Sequence, residues 1–404
     1  MASTINATTS SGIVATADNT GSLALQSAGT TIATISSTGV AVTGSVTTNG
    51  VVGSPYTMKN RIINGGMVID QRNAGAAIST SNTGGNYTID RWYYYATTGS
   101  KFTMQQNQGS VTPPAGFSNY IGITSSSAYT PTGSDNFFIA QQIEANNISD
   151  LSWGTANAKT ITISFWVRSS LTGNFGLVVE NAPTYNYSYP ILYTISSANT
   201  WEQKTITIPA PTAGTWATSG TGAGLILIFS IGIGTTYAGT SGAWTASNAN
   251  GVTGQTNVVA TNGATFYITG VQLEAGSSAT QFEWRPYGTE LALCQRYYWS
   301  TNAAANYNSF FRANGIGYST TQVGFIVQLP VPMRASQSSV SYSGTIKTSD
   351  TVNVTAITSL VINQTNFDSP LLFATVASGI TQFRPYILFA GGDSTSSVGI
   401  SAEL

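Results

Sequence analysis

In Thr160-Ile-Thr-Ile-Ser-Phe-Trp-Val-Arg168 the apolar Ile161, Ile163, Phe165 and Val167 alternate with Thr162, Ser164, Trp166 and Arg168. A period of two sets the first four on one face of an extended strand and the others on the opposite face. Strand-like runs return in Tyr120-Ile-Gly-Ile-Thr124, Phe137-Phe-Ile-Ala-Gln-Gln142, Gly176-Leu-Val-Val-Glu180, Leu225-Ile-Leu-Ile-Phe229 and Thr265-Phe-Tyr-Ile-Thr-Gly-Val-Gln-Leu273. Gly, Pro, Asn and Ser break these runs apart, and helical periodicity is almost absent. Residues 59–288 are therefore predicted to form an antiparallel jelly-roll β-sandwich. Within Trp92-Tyr-Tyr-Tyr95 alternate rings must face opposite sides, so about half of such aromatics belong to the core.

Outward from the sandwich, Tyr287–Trp299 departs from the pattern. Thr289 can cap a short helix there, and Leu291, Cys294 and Tyr298 share one face, which makes Cys294 a buried thiol. Strands resume in Gly324-Phe-Ile-Val-Gln-Leu329, Leu371-Leu-Phe-Ala-Thr375 and Tyr386-Ile-Leu-Phe-Ala390, so residues 289–404 are read as a connector helix and a C-terminal β-sandwich domain. Residues 1–58 differ from both: they hold no Trp, Lys or Arg, one acid (Asp18), and 20 Ser or Thr among the first 50 residues. Short pieces such as Thr31-Ile-Ala-Thr-Ile35 alternate with turn signals at Asp18-Asn-Thr-Gly21 and Asn49-Gly50. Each strand offers too few small apolar side chains to bury a core within one chain. The two readings of this stretch are a disordered tail and strands that complete their core against other copies, and the alternation of Ile, Val and Leu with Thr and Ser favours the second. The expected assembly is a homotrimer.

Composition removes most chemistry. The 404 residues include 14 Lys or Arg, 15 Asp or Glu, one cysteine and no histidine. Imidazole bases, His-ligated metals and disulfides within the chain are excluded. A net charge of -1 with no basic run gives no footprint for nucleic acid or an anionic membrane. The apolar run Gly224–Gly234 is far shorter than the roughly 20 residues of a spanning helix. Membrane insertion is not expected.

The acids show no close pairing of the kind glycoside hydrolysis needs, and the short spacings Asp70–Arg72, Asp90–Arg91 and Glu283–Arg285 read as ion pairs. No enzyme activity and no cofactor are expected. Oxygen ligands alone leave Ca²⁺ or Mg²⁺ as metals, with Asn64 and Asp70 candidates for one structural Ca²⁺. The aromatics are more informative. Tyr185, Tyr187 and Tyr189 sit among Asn, Ser, Pro183 and Pro190, while Trp216 and Trp244 lie in Gly/Ser/Thr-rich loops. Rings flanked by neutral polar groups suit sugars, whose C–H faces stack on an aromatic and whose hydroxyls need uncharged partners. Such rings equally suit subunit interfaces.

Three segments carry a resemblance: Asn60-Arg-Ile-Ile-Asn-Gly-Gly-Met-Val-Ile-Asp-Gln-Arg72, Tyr87-Thr-Ile-Asp-Arg-Trp92, and Thr269–Tyr287 followed by Leu291-Ala-Leu-Cys-Gln-Arg-Tyr-Tyr298. Together they resemble a recurring bacteriophage tail-fibre and virion-appendage module, similar in outline to jelly-roll carbohydrate-binding domains. This chain has Met67 and Val68 where related modules often place an acid, which argues against that family's calcium site. The resemblance implies an all-β, trimeric virion protein on the phage tail or particle surface, joined to other virion proteins through its N-terminal module and contacting a host cell-surface glycan. The alternative it leaves is a capsid decoration or tail adaptor protein that binds no receptor.

Overall fold

A computed structural model describes residues 3–8, 12–15, 23–27, 30–36, 39–42, 58–80, 86–303, 305–311 and 314–404. The chain divides into two compact units, Met1–Thr57 and Met58–Leu404. The first holds a five-stranded sheet in the order Gly12–Ala15, Ser3–Thr8, Leu23–Ser27, Thr30–Ser36, Gly39–Val42. Ser3–Thr8 and Leu23–Ser27 run parallel, and the other neighbours run antiparallel. The turn signals at 18–21 and 49–50 lie outside the described residues.

The second unit is all-β apart from the helix Tyr287–Gln295 and a few short 3₁₀ turns, among the described residues. Alternation sends Ile161, Ile163, Phe165 and Val167 into a core where each is fully buried. Their strand belongs to a six-stranded sheet ordered Glu202–Ile208, Ile161–Ser169, Thr265–Ala275, Ile121–Ser125, Phe102–Gln106, Ile78–Ser79. A second six-stranded sheet faces it, ordered Ser188–Ile195, Gly173–Asn181, Ala223–Ile233, Asn136–Glu144, Trp92–Ala96, Asn86–Ile89. Leu177, Val179, Leu227 and Phe229 of the second sheet meet the first across this jelly-roll core. Phe165 stands edge-on to Phe229 at 5.0 Å between ring centroids. Burying each such side chain stabilises the sandwich by about 1.5–3 kcal/mol relative to leaving it exposed.

The three segments singled out by resemblance converge at one end of the core. Asn60 donates to Val271 O and accepts from Leu273 N, pinning the first segment to the third. Asn64 donates to Asp90 O, and Trp92 Nε1 donates to Asn64 O at 3.1 Å, which ties in the second. Gly65 lies so close to Val271 O that a β-carbon there has no room.

The helix is capped differently from the expectation. Its N-cap is Pro286, with no side-chain cap, and Thr289 lies inside the first turn, where its N–H donates to Pro286 O. Pro286 O accepts from the N–H groups of both Thr289 and Glu290, so backbone meets these first-turn donors in place of a capping hydroxyl. Cys294 is buried with Ile63, Ile69 and Tyr297, while Tyr298 begins the following strand.

Beyond the helix, six strands close into a barrel in the order Gly315–Gly317, Gln322–Ile326, Leu371–Val376, Val354–Gln364, Ile346–Ser349, Pro385–Ala390. Opposite walls pack on each other around Val323, Phe325, Leu372 and Leu388, as sandwich layers do, but hydrogen bonding continues from one wall into the next. Closure leaves these strands no free edge. Tyr298–Asn302, Ser397–Ser401 and Ser339–Ser343 form a separate three-stranded sheet.

Of the three short-range ion pairs read from the sequence, only Arg285–Glu283 forms, at 3.3 Å. Arg72 and Arg91 both pair instead with Glu403, Arg72 at 2.8 Å. Asp90 accepts from Gln71 N and Nε2, and Asp70 accepts from Asn73 N and Gly75 N. Backbone and amide donors satisfy these acids locally, which frees the arginines for a carboxylate at the far end of the chain.

Candidate functional site

Period-two alternation gives the second sheet an outer face as well as a core face. Trp92 and Tyr94 enter the core, while Tyr93 and Tyr95 point the other way with Phe138. Register arranges that outer face in cross-strand rows. Tyr95 lies opposite Phe138, and Phe138 opposite Ser230. Tyr93, Ala140, Ile228 and Val178 form the next row, and Gln142, Ile226 and Glu180 the one after. Ala140, Ile228 and Val178 of the middle row are fully buried and pack with Val252.

The result is a groove of about 620 Å³ lined by five tyrosines (Tyr87, Tyr93, Tyr95, Tyr185 and Tyr237), several neutral amides and one acid, Glu180. No Lys, Arg or Asp side chain lines it. Tyr95 stacks on Phe138 with centroids 5.3 Å apart and planes 12° apart, which fixes an aromatic wall. Tyr87 and Tyr93 pack at 5.2 Å. Gln142 Nε2 donates to Tyr185 OH at 3.0 Å. Glu180 is 1% exposed, and its Oε1 has no hydrogen-bond partner. Burial pushes its carboxyl up to about 8.

The structure divides the five aromatic candidates. Asn181 builds the loop that carries the tyrosines: its Nδ2 donates to Thr184 Oγ1, Asn186 Oδ1 and Thr215 O, and its Oδ1 accepts from the backbone N–H of Asn186 and Tyr187. That loop turns Tyr185 into the groove and sends Tyr187 elsewhere. Tyr187 lies parallel to Trp244 at 5.6 Å and 3°. Tyr189, Trp216 and Trp244 join it around the buried Trp153, with Trp216 edge-on to Trp153 at 4.6 Å. Both candidate indoles spend their N–H groups on backbone, Trp216 on Ala213 O and Trp244 on Pro209 O. Tyr189 is 6% exposed and gives its hydroxyl to Gly242 O, so it packs in this cluster instead of presenting a ring to solvent.

The calcium candidates do not converge on an ion site. Asn64 is fully buried, its Oδ1 accepting from Ile69 N and its Nδ2 donating to Ile69 O. Both Asp70 oxygens accept backbone N–H groups, as given above, and burial raises its carboxyl above the usual range. No group of three or more metal-ligating Asp, Glu, Cys or His side chains occurs among the described residues.

Sequence reasoning missed Tyr93, Tyr95, Gln142 and Glu180 as one site. The available signal was parity: with Leu177 and Val179 in the core, Glu180 must face outward, directly after the apolar run Leu177-Val-Val179.

No family model and no curated protein matches the sequence. Among solved structures, the enzymatically active domain of tailspike protein 4 of bacteriophage CBA120 is similar over 52% of this chain, with 14% identity and a TM-score of 0.27. The matched region spans about a fifth of that domain, 22%. The family 11 carbohydrate-binding module of a cellulosomal cellulase of Clostridium thermocellum is similar over 49% of this chain and 99% of its own, with 15% identity and a TM-score of 0.25. The CBM22-1 xylan-binding domain of Paenibacillus barcinonensis Xyn10C matches over 52% of this chain and 99% of its own, at 10% identity and a TM-score of 0.23.

Proposed function

We propose that this chain is a structural protein of a bacteriophage particle, a trimeric tail fibre or similar appendage whose sandwich holds a host-surface glycan. The observation that carries the glycan reading is the groove, in which five tyrosines and neutral amides offer stacking faces and uncharged hydrogen bonds. The three resembling segments support the appendage reading, and the N-terminal module is its attachment to other virion proteins. The glycan sits against Tyr95 and Phe138, with Gln142 and Asn250 within the same groove.

One observation favours the second reading, a decoration or adaptor protein without receptor binding. The barrel exposes Ile316, Tyr318, Ile326 and Phe383 by 60–79%, a surface suited to neighbouring protein. Glycan-array binding of the purified protein, compared with Tyr95→Ala, separates the two. The proposal expects binding of a neutral glycan that weakens about tenfold or more in the variant, the scale of one lost stacking ring. Absence of binding to every glycan and to host cells would leave the adaptor reading.

A further inference from the structure

We propose that Glu180 is the specificity anchor of the groove: its carboxyl donates a hydrogen bond to an oxygen of an uncharged sugar and turns anionic sugars away. This rests on the reading of the groove as a glycan site and narrows its ligand to neutral polyols.

Glu180 carries an unmet hydrogen-bonding valence. Glu180 stands at the end of the row Gln142–Ile226–Glu180, 1% exposed, and its Oε1 has no partner. A buried polar atom left unpaired costs free energy that a ligand hydroxyl or ring oxygen can recover. No protein group hydrogen-bonds this atom, and the neighbouring Gln142 amide donates to Tyr185 OH. Among the groups that line the groove with Glu180, which include Tyr87, Tyr95, Tyr237 and Leu404, the phenols Tyr93 and Tyr185 interact with it electrostatically, and burial holds both above the ordinary phenol value. The groove contains no Lys or Arg side chain that would stabilise a carboxylate, whether of Glu180 or of a ligand.

The state of the carboxyl follows from that environment. Burial alone lifts it to about 8, so near neutral pH it keeps its proton and can donate as well as accept. A uronate entering the same space must shed its hydration with no cation to meet it. Above about pH 8 the donor is lost, and Glu180 itself becomes an anion in the groove.

Calorimetric titration of the full chain with galactotetraose, glucotetraose, mannotetraose, xylotetraose and tetragalacturonate tests this from about pH 6 to about pH 9.5. The proposal expects at least one neutral tetrasaccharide to bind, tetragalacturonate not to bind, and wild-type affinity to fall by up to about tenfold per pH unit above about 8. Glu180→Gln, which keeps a donor and an acceptor in the same shape, should bind within about threefold of wild type with no such pH dependence, whereas Glu180→Ala should lose about tenfold. Near-ultraviolet circular dichroism checks that both variants are folded. If a neutral sugar binds but Glu180→Ala binds equally, or Glu180→Gln loses as much as Glu180→Ala, the anchor role is overturned while the glycan site stands. If no sugar binds at any pH, the glycan reading falls and this inference falls with it.

Discussion

Arg91 is 1% exposed, and the carboxylate that neutralises it belongs to Glu403. Its guanidinium also lies 3.6 Å from the Tyr297 ring centroid, so the cation is enclosed on two sides. Replacing Glu403 by Gln should cost about 3 kcal/mol, because it leaves a buried charge uncompensated. Urea unfolding would show it as a lower midpoint with an unchanged slope. Sequence reading paired Arg91 with its neighbour Asp90, the nearest acid. That pairing was not legible as wrong, because the partner lies 312 residues away and Asp90 is satisfied by Gln71. Local parity was legible: Trp92 and Tyr94 go inward and Tyr93 and Tyr95 outward, as a period of two requires. Which outward face would be sunk beneath loops depends on distant segments, so Glu180 gave no sign of its burial.

At the scale of elements, the Asn181–Tyr187 loop links two aromatic assemblies. One side chain, Asn181, organises it through five hydrogen bonds, and the loop delivers Tyr185 to the groove and Tyr187 to Trp244. Asn181→Ala should therefore lower stability by about 1–3 kcal/mol, the penalty for leaving such buried partners unpaired. It should also alter tryptophan fluorescence as Tyr187 leaves the Trp244 ring. An unchanged spectrum would show that the loop holds its shape without Asn181. The sequence marked this loop as aromatic and polar but could not show that its tyrosines separate, since that depends on a left-handed Tyr185 and on contacts with residues near 215 and 244.

Across the whole molecule, the barrel presents an apolar wall whose continuity follows from register. Ile316 lies opposite Gly324, Gly324 opposite Phe373, and Phe373 opposite Val361, while Tyr318 covers Phe373 at 5.0 Å. Ile326 extends the wall from the next row, 60% exposed. We propose that a neighbouring chain, a second copy or another virion protein, covers this surface. Sedimentation of the full chain should give a three-chain species, and Ile326→Lys with Val361→Lys should shift it toward single chains; an unshifted trimer would place assembly elsewhere. The all-β class and the two sheets of the sandwich were legible from alternation, but closure of the barrel was not, because alternation fixes faces and says nothing of which edges meet.

The contact between Arg91 and Glu403 also sets an order of events during synthesis. A ribosome exposes the sandwich strands long before residue 403 is made, so until then the nascent sandwich carries an unmatched interior cation. Its final locking must await the synthesis of residue 403, and such a distant closure favours slow maturation.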